Sequence, residues 1–435
     1  LVRCSPGGDD GPSSVWANWN VRETLPDPLG PFAWTVWRDQ ILPVVVEDVF
    51  GVPRASPIFR HLVAVDLVGG RLYWNMNALL ATPGLGSLLA RTLEVIDARA
   101  ATVTNRLIEA GTLAPRRLPG SRFRVLGAMI LANGAGMLRL AGALRARACL
   151  AILRRSAARG AARPDVASLS DADLLRAVDV FGTPEGRRMR TGLQMESVAM
   201  AVYLLAERAF RFHPEARDLL TVAVPGNPTT AISFALEDLA EAARELAPAF
   251  AEEGTAAEVR KRVEREPAGP AWVARLDAFL AVHGHRGPKE FDFSSPRWAD
   301  DPTMILELVR AHLAAPPSEG LADRFERLRA KRRRAIESAC RSTIGPWRPV
   351  LRALARLVEQ YMPLREAPKH YALVLFHRVR RAAVEIGRRL VDRGILTERE
   401  QIFGLELREA RELLLGAAPP PDLERLLEER RRLRE

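Results

Sequence analysis

Two short segments hold most of the residues in this chain that could do chemistry. PLREAPKHY (363–371) sets Arg365 and Lys369 four residues apart, and HGHRGPKEFDFSSPRWADDP (283–302) collects His283, His285, Arg286, Lys289, Glu290, Asp292, Arg297, Trp298, Asp300 and Asp301. Lysine is scarce: Lys261, Lys289, Lys331 and Lys369 are the four among 64 basic side chains, and two of them fall in these segments. A chain so biased toward arginine keeps a lysine where a compact, movable point charge does what a planar guanidinium cannot. If 363–371 is helical, Arg365 and Lys369 project to one side. Pro368 suits a first helical turn, where its missing N–H would be unpaired in any case, so the sequence predicts a helix start at 368 with Lys369 in the first turn. A phosphate there would meet a fork-shaped donor, a point charge, unpaired backbone amides and the positive end of the helix dipole. The competing reading is an ion-pair cluster in which Glu359 and Glu366 neutralise both cations.

The second segment joins two apolar helical stretches through a connection of 20 residues, and loops of that length inside compact domains are mostly functional. Three chemistries compete for it. A metal site from His283, His285, Glu290 and Asp292 uses allowed ligand types, but the spacing matches no strong signature. A polar network would brace the loop by pairing Arg286 and Arg297 with Glu290 and Asp292. Alternatively some of these charges face a reaction centre, with His285 moving protons near neutral pH. No phosphate-binding glycine loop, serine-type triad or dinucleotide fingerprint is readable; GTPEGRRMR (182–190) and the Gly69-Gly70 pair read as turns.

These segments must be positioned by helices. Apolar residues recur at helical spacing over 84–111, 122–158, 170–179, 186–211, 229–248, 254–264, 270–282, 303–314, 320–343, 346–362, 368–393 and, with breaks, 405–433. Pro225-Gly226-Asn227-Pro228 before Thr229, Ser170 or Asp171 before an apolar run, and Gly394 after the long helix supply the punctuation. HLVAVDLVGGRLYWNMN (61–77) alternates around Gly69-Gly70 and reads as the one strand pair. The first residues, rich in Gly, Pro, Ser and Asp with scattered tryptophans, read as an ordered loop lying on an apolar surface. The expected architecture is mainly α: an extended segment over 1–35 and a large multi-helix domain over 36–435, with one small β-hairpin.

A chain of 435 residues can bury a substantial core. Its net charge of +11 is spread over amphipathic helices without interleaved exposed aromatics, so no nucleic-acid partner is expected. The most apolar stretch, 125–144, is broken by Asn133 and Arg139 and reads as a buried helix, so no membrane partner is expected either. Cys4, Cys149 and Cys340 are odd in number and far apart, which points to a reducing compartment, the cytoplasm. The chain opens on Leu1, as an excised part of a longer polypeptide would.

Taken in order, LPDPLGPFAW (25–34), GGRLYWN (69–75), VPGNPTT (224–230), HGHRGPKEFDFSSPRW (283–298) and PLREAPKHY (363–371) resemble the central domain of the rifampicin phosphotransferase and phosphoenolpyruvate synthase-like family, over nearly the whole chain. The resemblance implies a three-part enzyme. An ATP-grasp domain takes the β-phosphoryl from ATP, a swivelling histidine domain carries it, and a helical domain presents the acceptor, giving AMP, phosphate and a phosphorylated product. Only the helical part is represented here, with LEERRRLRE (427–435) resembling the linker toward the carrier. The resemblance therefore implies a small-molecule acceptor, ATP-grasp and phosphohistidine carrier domains in cis or in trans, ATP and Mg on the former, and no cofactor or metal in this chain.

Residue by residue, it implies that Arg365 and Lys369, with Arg297, face the incoming phosphoryl group, and that His285, Arg286, Glu290 and Asp292 organise the catalytic centre. Pro31, Phe32 and Trp34 match a segment walling the acceptor pocket, and Tyr73, Trp74 and Phe376 would extend that wall, unless these aromatics are simply core. HGH followed by Lys289 departs from the family, where a smaller residue is common, which leaves the acceptor open. A large, mainly apolar, hydroxyl-bearing molecule of rifamycin type is the leading expectation. Pyruvate or a biosynthetic intermediate, or sequestration without chemistry, are the alternatives.

Overall fold

The computed structural model describes residues 2–4, 14–18, 25, 27–48, 54, 65–81, 98–114, 143–161, 165–316 and 319–434. These residues are mainly helical, as the periodicity predicts. Near the N-terminus β1 (Val2–Cys4), β2 (Ser14–Ala17), β3 (Val65–Val68) and β4 (Arg71–Asn75) form an antiparallel sheet in the order β1-β2-β4-β3. β3 and β4 are the expected hairpin, with Val65 opposite Trp74 and Val68 opposite Arg71. The ordered loop expected before it is corrected: β2 pairs with the free edge of β4, Trp16 opposite Asn75, and so satisfies backbone groups a lone hairpin would leave open. Sequence pattern could not show this strand because Val15, Trp16 and Ala17 are all buried, which erases the alternation of a half-exposed strand.

The helices follow as α1 (Pro31–Val36), running through a π-turn at Trp37–Ile41 into α2 (Leu42–Asp48), then α3 (Met76–Ala81) and α4 (Ala98–Glu109). Next come α5 (Ala143–Ala161), α6 (Asp171–Ala177), α7 (Pro184–Ala209) and α8 (Pro214–Leu219). A lobe of its own is built from α9 (Pro228–Glu241), α10 (Ala247–Phe250), α11 (Ala256–Glu264), α12 (Gly269–His283) and α13 (Thr303–Ala314). The chain closes with α14 (Leu321–Ser342), α15 (Trp347–Tyr361), α16 (Pro363–Asp392), α17 (Leu407–Leu414) and α18 (Leu423–Arg432). The apolar stretch up to 142, and the predicted helix starts at 84 and 122, lie outside the described residues. GTPEGRRMR is only partly a turn, since α7 begins at Pro184 with Thr183 accepting a hydrogen bond from the Gly186 N–H at 3.2 Å.

α16 is the spine. Its 30 residues extend about 45 Å at 1.5 Å each, enough to serve two cores. Leu364, Ala367, Tyr371 and Leu375 pack with α5, α7, α14 and α15, whereas Phe376, Val379, Ala383, Ile386 and Leu390 pack with α1 and the C-terminal helices. The helix stops where Gly394 takes φ of 71°: Ile395 N–H reaches Leu390 O at 2.9 Å and Gly394 N–H reaches Val391 O at 2.8 Å, the paired bonds of a Schellman cap. Its start corrects the sequence expectation. Pro363, not Pro368, occupies the first turn, and Pro368 lies inside the helix. Both prolines qualify as helix starters by type; burial of Leu364 and Ala367, each 0% exposed, favours the earlier one despite the N–H that Pro368 removes. Lys369 is therefore beyond the first turn, and the helix-end part of the argument for an anion site there does not hold. Among the described residues no helix is long and apolar enough to cross a membrane.

Candidate functional site

A cavity of about 1410 Å³ opens between α5, the turn entering α7, the start of α9, the end of α12 and one face of α16. Its position follows from helix ends. Thr183 caps α7, and Asn227 caps α9 by accepting from the Thr229 N–H at 2.9 Å, so the GTP and PGNP turns are held at its rim. Phe234, Leu280, Val282, Phe325 and Val374 give it an apolar side. The opposite character comes from four imidazoles, His283 and His285 from the end of α12 and its loop, and His370 and His377 one above the other on α16. The His285 and His370 rings meet edge to face with centroids 5.0 Å apart. Burial, followed by neighbouring imidazoles and Arg286, pushes His285 down to about 2. Burial and Arg286 push His370 down to about 4. His377 is also lowered to about 4, chiefly by burial, with Asp300 opposing. All three are neutral at physiological pH.

A different face of α16 carries the basic pair. Lys369 and its neighbour His370 lie about 100° apart round the helix, so the cation stands on the face of α16 adjoining the one that lines the cavity. Lys369 Nζ stands 3.9 Å from Glu290 and 5.4 Å from the centre of the Phe291 ring, and Arg365 pairs with Glu366 at 3.2 Å. Glu366 is thus one neutraliser, as the ion-pair reading had it, but Glu359 instead holds Arg332 at 3.1 Å. Glu196 of α7 belongs to the same neighbourhood: burial and Glu366 raise its carboxyl to about 7 against the pull of Arg365 and Lys369.

The loop over 284–302 touches both places. Arg286 and Glu290 form the ion pair the bracing reading expects. Arg297, 1% exposed, donates to the main-chain oxygen of Asp292 at 3.1 Å and not to its carboxylate. That carboxylate accepts from Arg434 at 3.1 Å and from the Ser294 hydroxyl at 2.8 Å. Burial and the nearby Arg380 lower Arg297 to about 10. The strongest brace was not singled out from sequence: Arg380 of α16 donates to Asp300 and to the carbonyls of Phe293 and Ser294, each at 2.9 Å. Lys289 takes φ of 53° and pairs with Asp27, fastening the loop to the N-terminal segment. Among the described residues no cluster of three His, Cys, Asp or Glu side chains is arranged to hold a metal ion.

Residues 190–366 match the family model of the rifampicin phosphotransferase fourth domain. A rifampicin phosphotransferase of Streptomyces sviceus is 22% identical over 424 residues, covering 93% of this chain and 45% of that protein. A second, from a Streptomyces species, is 24% identical over 423 residues, covering 94% and 45%. Over most of its length the chain is similar to rifampicin phosphotransferases. It spans less than half the length of these relatives. A shorter likeness joins it to the prodigiosin synthesizing transferase PigC of Serratia marcescens, 32% identical over 128 residues, which is 29% of this chain and 14% of that protein.

The residues singled out from sequence fall into three places. His285 is on the cavity wall. Arg286, Glu290 and Lys369 form a chain of contacts behind it, with Arg365 on the same face of α16 as Lys369, while Asp292 and Arg297 lie within the loop. Pro31 opens α1, and Phe32 and Phe376 are core residues packed on Phe293, with ring centroids 6.4 and 5.2 Å from it. Trp34 packs against that core, and Tyr73 and Trp74 are on β4, so none of these six lines the large cavity. The cavity histidines of α16 escaped the sequence reading. A signal was present: His370, Val374, His377 and Arg381 recur at the spacing of a single helix face.

Proposed function

We propose that this chain is the acceptor-binding part of an ATP-dependent phosphotransferase, and that the cavity receives a large, mainly apolar, hydroxyl-bearing molecule. The observation that carries this reading is the cavity itself. About 1410 Å³ exceeds the roughly 300–1,000 Å³ of common small-molecule sites, and it joins an apolar side to a few convergent polar groups, as selective pockets do. Three of the five family-like segments, VPGNPTT, HGHRGPKEFDFSSPRW and PLREAPKHY, contribute to its wall. The names of the two relatives support phosphoryl transfer, and a size suited to a bulky natural product agrees with a rifamycin-type acceptor better than with pyruvate.

In this reading Arg365 and Lys369 receive the phosphoryl group brought by a phosphohistidine carrier domain, whose N–P bond breaks as the acceptor oxygen forms its O–P bond. Positioning and charge neutralisation are most of what phosphoryl transfer asks of a protein. ATP and Mg belong to the ATP-grasp domain, in cis or in trans. A second reading rests on the PigC likeness: the same cavity would hold a biosynthetic intermediate in an ATP-driven condensation.

The test mixes this chain with ATP-grasp and carrier domains of a rifampicin phosphotransferase and follows AMP release and product mass with rifampicin as acceptor. Acceptor-dependent AMP with a phosphorylated product supports the proposal, and Lys369→Ala or Arg365→Ala should lower the rate about 100-fold. Unchanged rates in both variants refute the roles given to the pair. A joined product with a second substrate favours condensation, and tight binding without AMP in any combination favours sequestration.

A further inference from the structure

We propose that the corner where the turn after α7 meets the turn between α14 and α15 docks on an anionic lipid surface: Phe212, Ile344 and Trp347 enter the interfacial layer, and a stripe of arginines on α15 meets the headgroups.

A hydrogen bond ties the two turns together. His213 Nε2 and Thr343 Oγ1 stand 3.0 Å apart, which makes their neighbours in sequence, Phe212 and Ile344, neighbours in space. Phe212 is 75% exposed and Ile344 88%. Gly345, with φ of 61°, and Pro346 then turn the chain into α15, whose first residue, Trp347, is 66% exposed. Single apolar side chains in water are ordinary on a protein surface. Three bulky ones gathered at one corner, each largely in water, mark a surface with a partner.

The same corner is cationic. Arg348, Arg352 and Arg356 recur every four residues on α15, and all three are exposed. Between Glu337 and Glu359 the sequence holds these three and Arg341 and no carboxylate. Glu359 itself holds Arg332 at 3.1 Å, and Arg348 donates to the Arg341 carbonyl at 3.1 Å. On the other turn Arg211 lies 4.4 Å from the centre of the Phe212 ring. The acids of that turn and of α8 are Glu207, Glu215 and Asp218, of which Asp218 pairs with Arg217 at 2.9 Å.

The combination selects the occupant. Nucleic acid or an acidic protein face would satisfy the guanidiniums, but a phosphate or carboxylate surface offers nothing to three projecting apolar side chains. A bilayer containing anionic lipid offers hydrocarbon to Ile344 and Phe212, the headgroup level to Trp347, and phosphates to the arginine stripe. The sequence argument against a membrane partner was an argument against a span. Contact from one side needs no spanning helix, and among the described residues there is none. The inference stands apart from the cavity reading and agrees with it, since an apolar acceptor concentrates in a membrane.

The test is flotation of the chain, at about physiological salt, with vesicles of phosphatidylcholine alone and of equal parts phosphatidylcholine and phosphatidylglycerol. The chain should float with the mixed vesicles and stay behind with the neutral ones. Ile344→Ser with Trp347→Ser, and separately Arg348→Gln with Arg352→Gln, should each lower the partition coefficient about 10-fold or more. These four side chains are in water, so thermal unfolding should not change, which separates a lost contact from a lost fold. Failure to float with the mixed vesicles overturns the proposal, as does equal flotation with both kinds. If only the arginine variant loses binding, the corner is a site for polyanions and the lipid assignment is wrong.

Discussion

Replacing His370 by glutamine tests whether the imidazole wall is truly neutral in the fold. In the unfolded chain a histidine titrates near 6.5, whereas burial and Arg286 hold His370 at about 4. Between these values the unfolded chain binds more protons than the folded one, so stability is present at neutral pH and is lost as pH falls through that window. At pH 5 the folded imidazole is still mostly uncharged, while the unfolded one is almost fully protonated. The difference relative to pH 7 amounts to ~2 kcal/mol for a sealed site, and between ~1 and 2 for a side chain with some access to water. The size at pH 5 depends on the unfolded value and the pH, and scarcely on how far below 5 the folded group titrates. His285, held at about 2, should therefore contribute nearly the same amount at that pH. The assay is urea unfolding at pH 7 and pH 5 for the parent and for His370→Gln. The parent should lose more stability on acidification than the variant, by that amount, and the subtraction cancels titrations common to both. An identical loss in the two proteins would show that His370 is protonated, or solvated, in the fold.

Glu196 gives the opposite sign. With its carboxyl raised to about 7 by burial and Glu366, the folded chain binds more protons than the unfolded one between about pH 4.5 and 7, so its stabilising protonation is lost as pH rises. Glu196→Gln should match the parent at pH 4 and exceed it by ~1–3 kcal/mol at pH 8 in the same unfolding experiment; a difference independent of pH would contradict the raised value. At Gly387 the limit is steric: a Cβ would stand 2.1 Å from the Arg399 carbonyl oxygen, backbone against backbone, with no flexible side chain to yield. Gly387→Ala should cost ~1–3 kcal/mol and raise hydrogen exchange first in the 3₁₀ turn at Arg399–Gly404; unchanged stability and protection would mean that the two segments are not in this contact.

How much of this was legible in the sequence differs from element to element for physical reasons. Period and punctuation located the starts of α9, α11 and α13 well because those starts carry a capping side chain or a proline, whereas the expected span 229–248 ran past the end of α9 at Glu241. They failed at α16, where two prolines five residues apart both satisfy the rule for a first turn and only packing of Leu364 and Ala367 separates them. β2 was invisible because a strand buried on both faces has no alternation to read. The 284–302 loop was recognisable by length and charge, but its main anchor, Arg380, comes from 80 residues away in sequence, beyond any local pattern. The cavity was the largest omission. Four of the seven histidines line it, yet two come from the end of α12 and two from α16, and it exists only because those elements meet.

That meeting also bears on why a lysine stands at 369. Glu290 contacts cations on both sides of the loop: Arg286 next to the imidazoles, and Lys369 on the adjoining face of α16. The two contacts are unequal. Arg286 and Glu290 have side chains 15% and 12% exposed and form a close pair, so solvent screens little of their attraction. Lys369 is 39% exposed, reaches Glu290 only at 3.9 Å, and leans on the Phe291 ring at 5.4 Å, contacts of the class that contribute ~1 kcal/mol or less. A partner that weakly held can exchange Glu290 for another anion at small cost. An arginine here would gain a bidentate grip on the same carboxylate and be harder to draw away. The geometry thus gives a physical reason for a point charge on a flexible stem at this position in an otherwise arginine-rich chain, and it keeps Glu290 in place through Arg286 whether or not Lys369 is engaged.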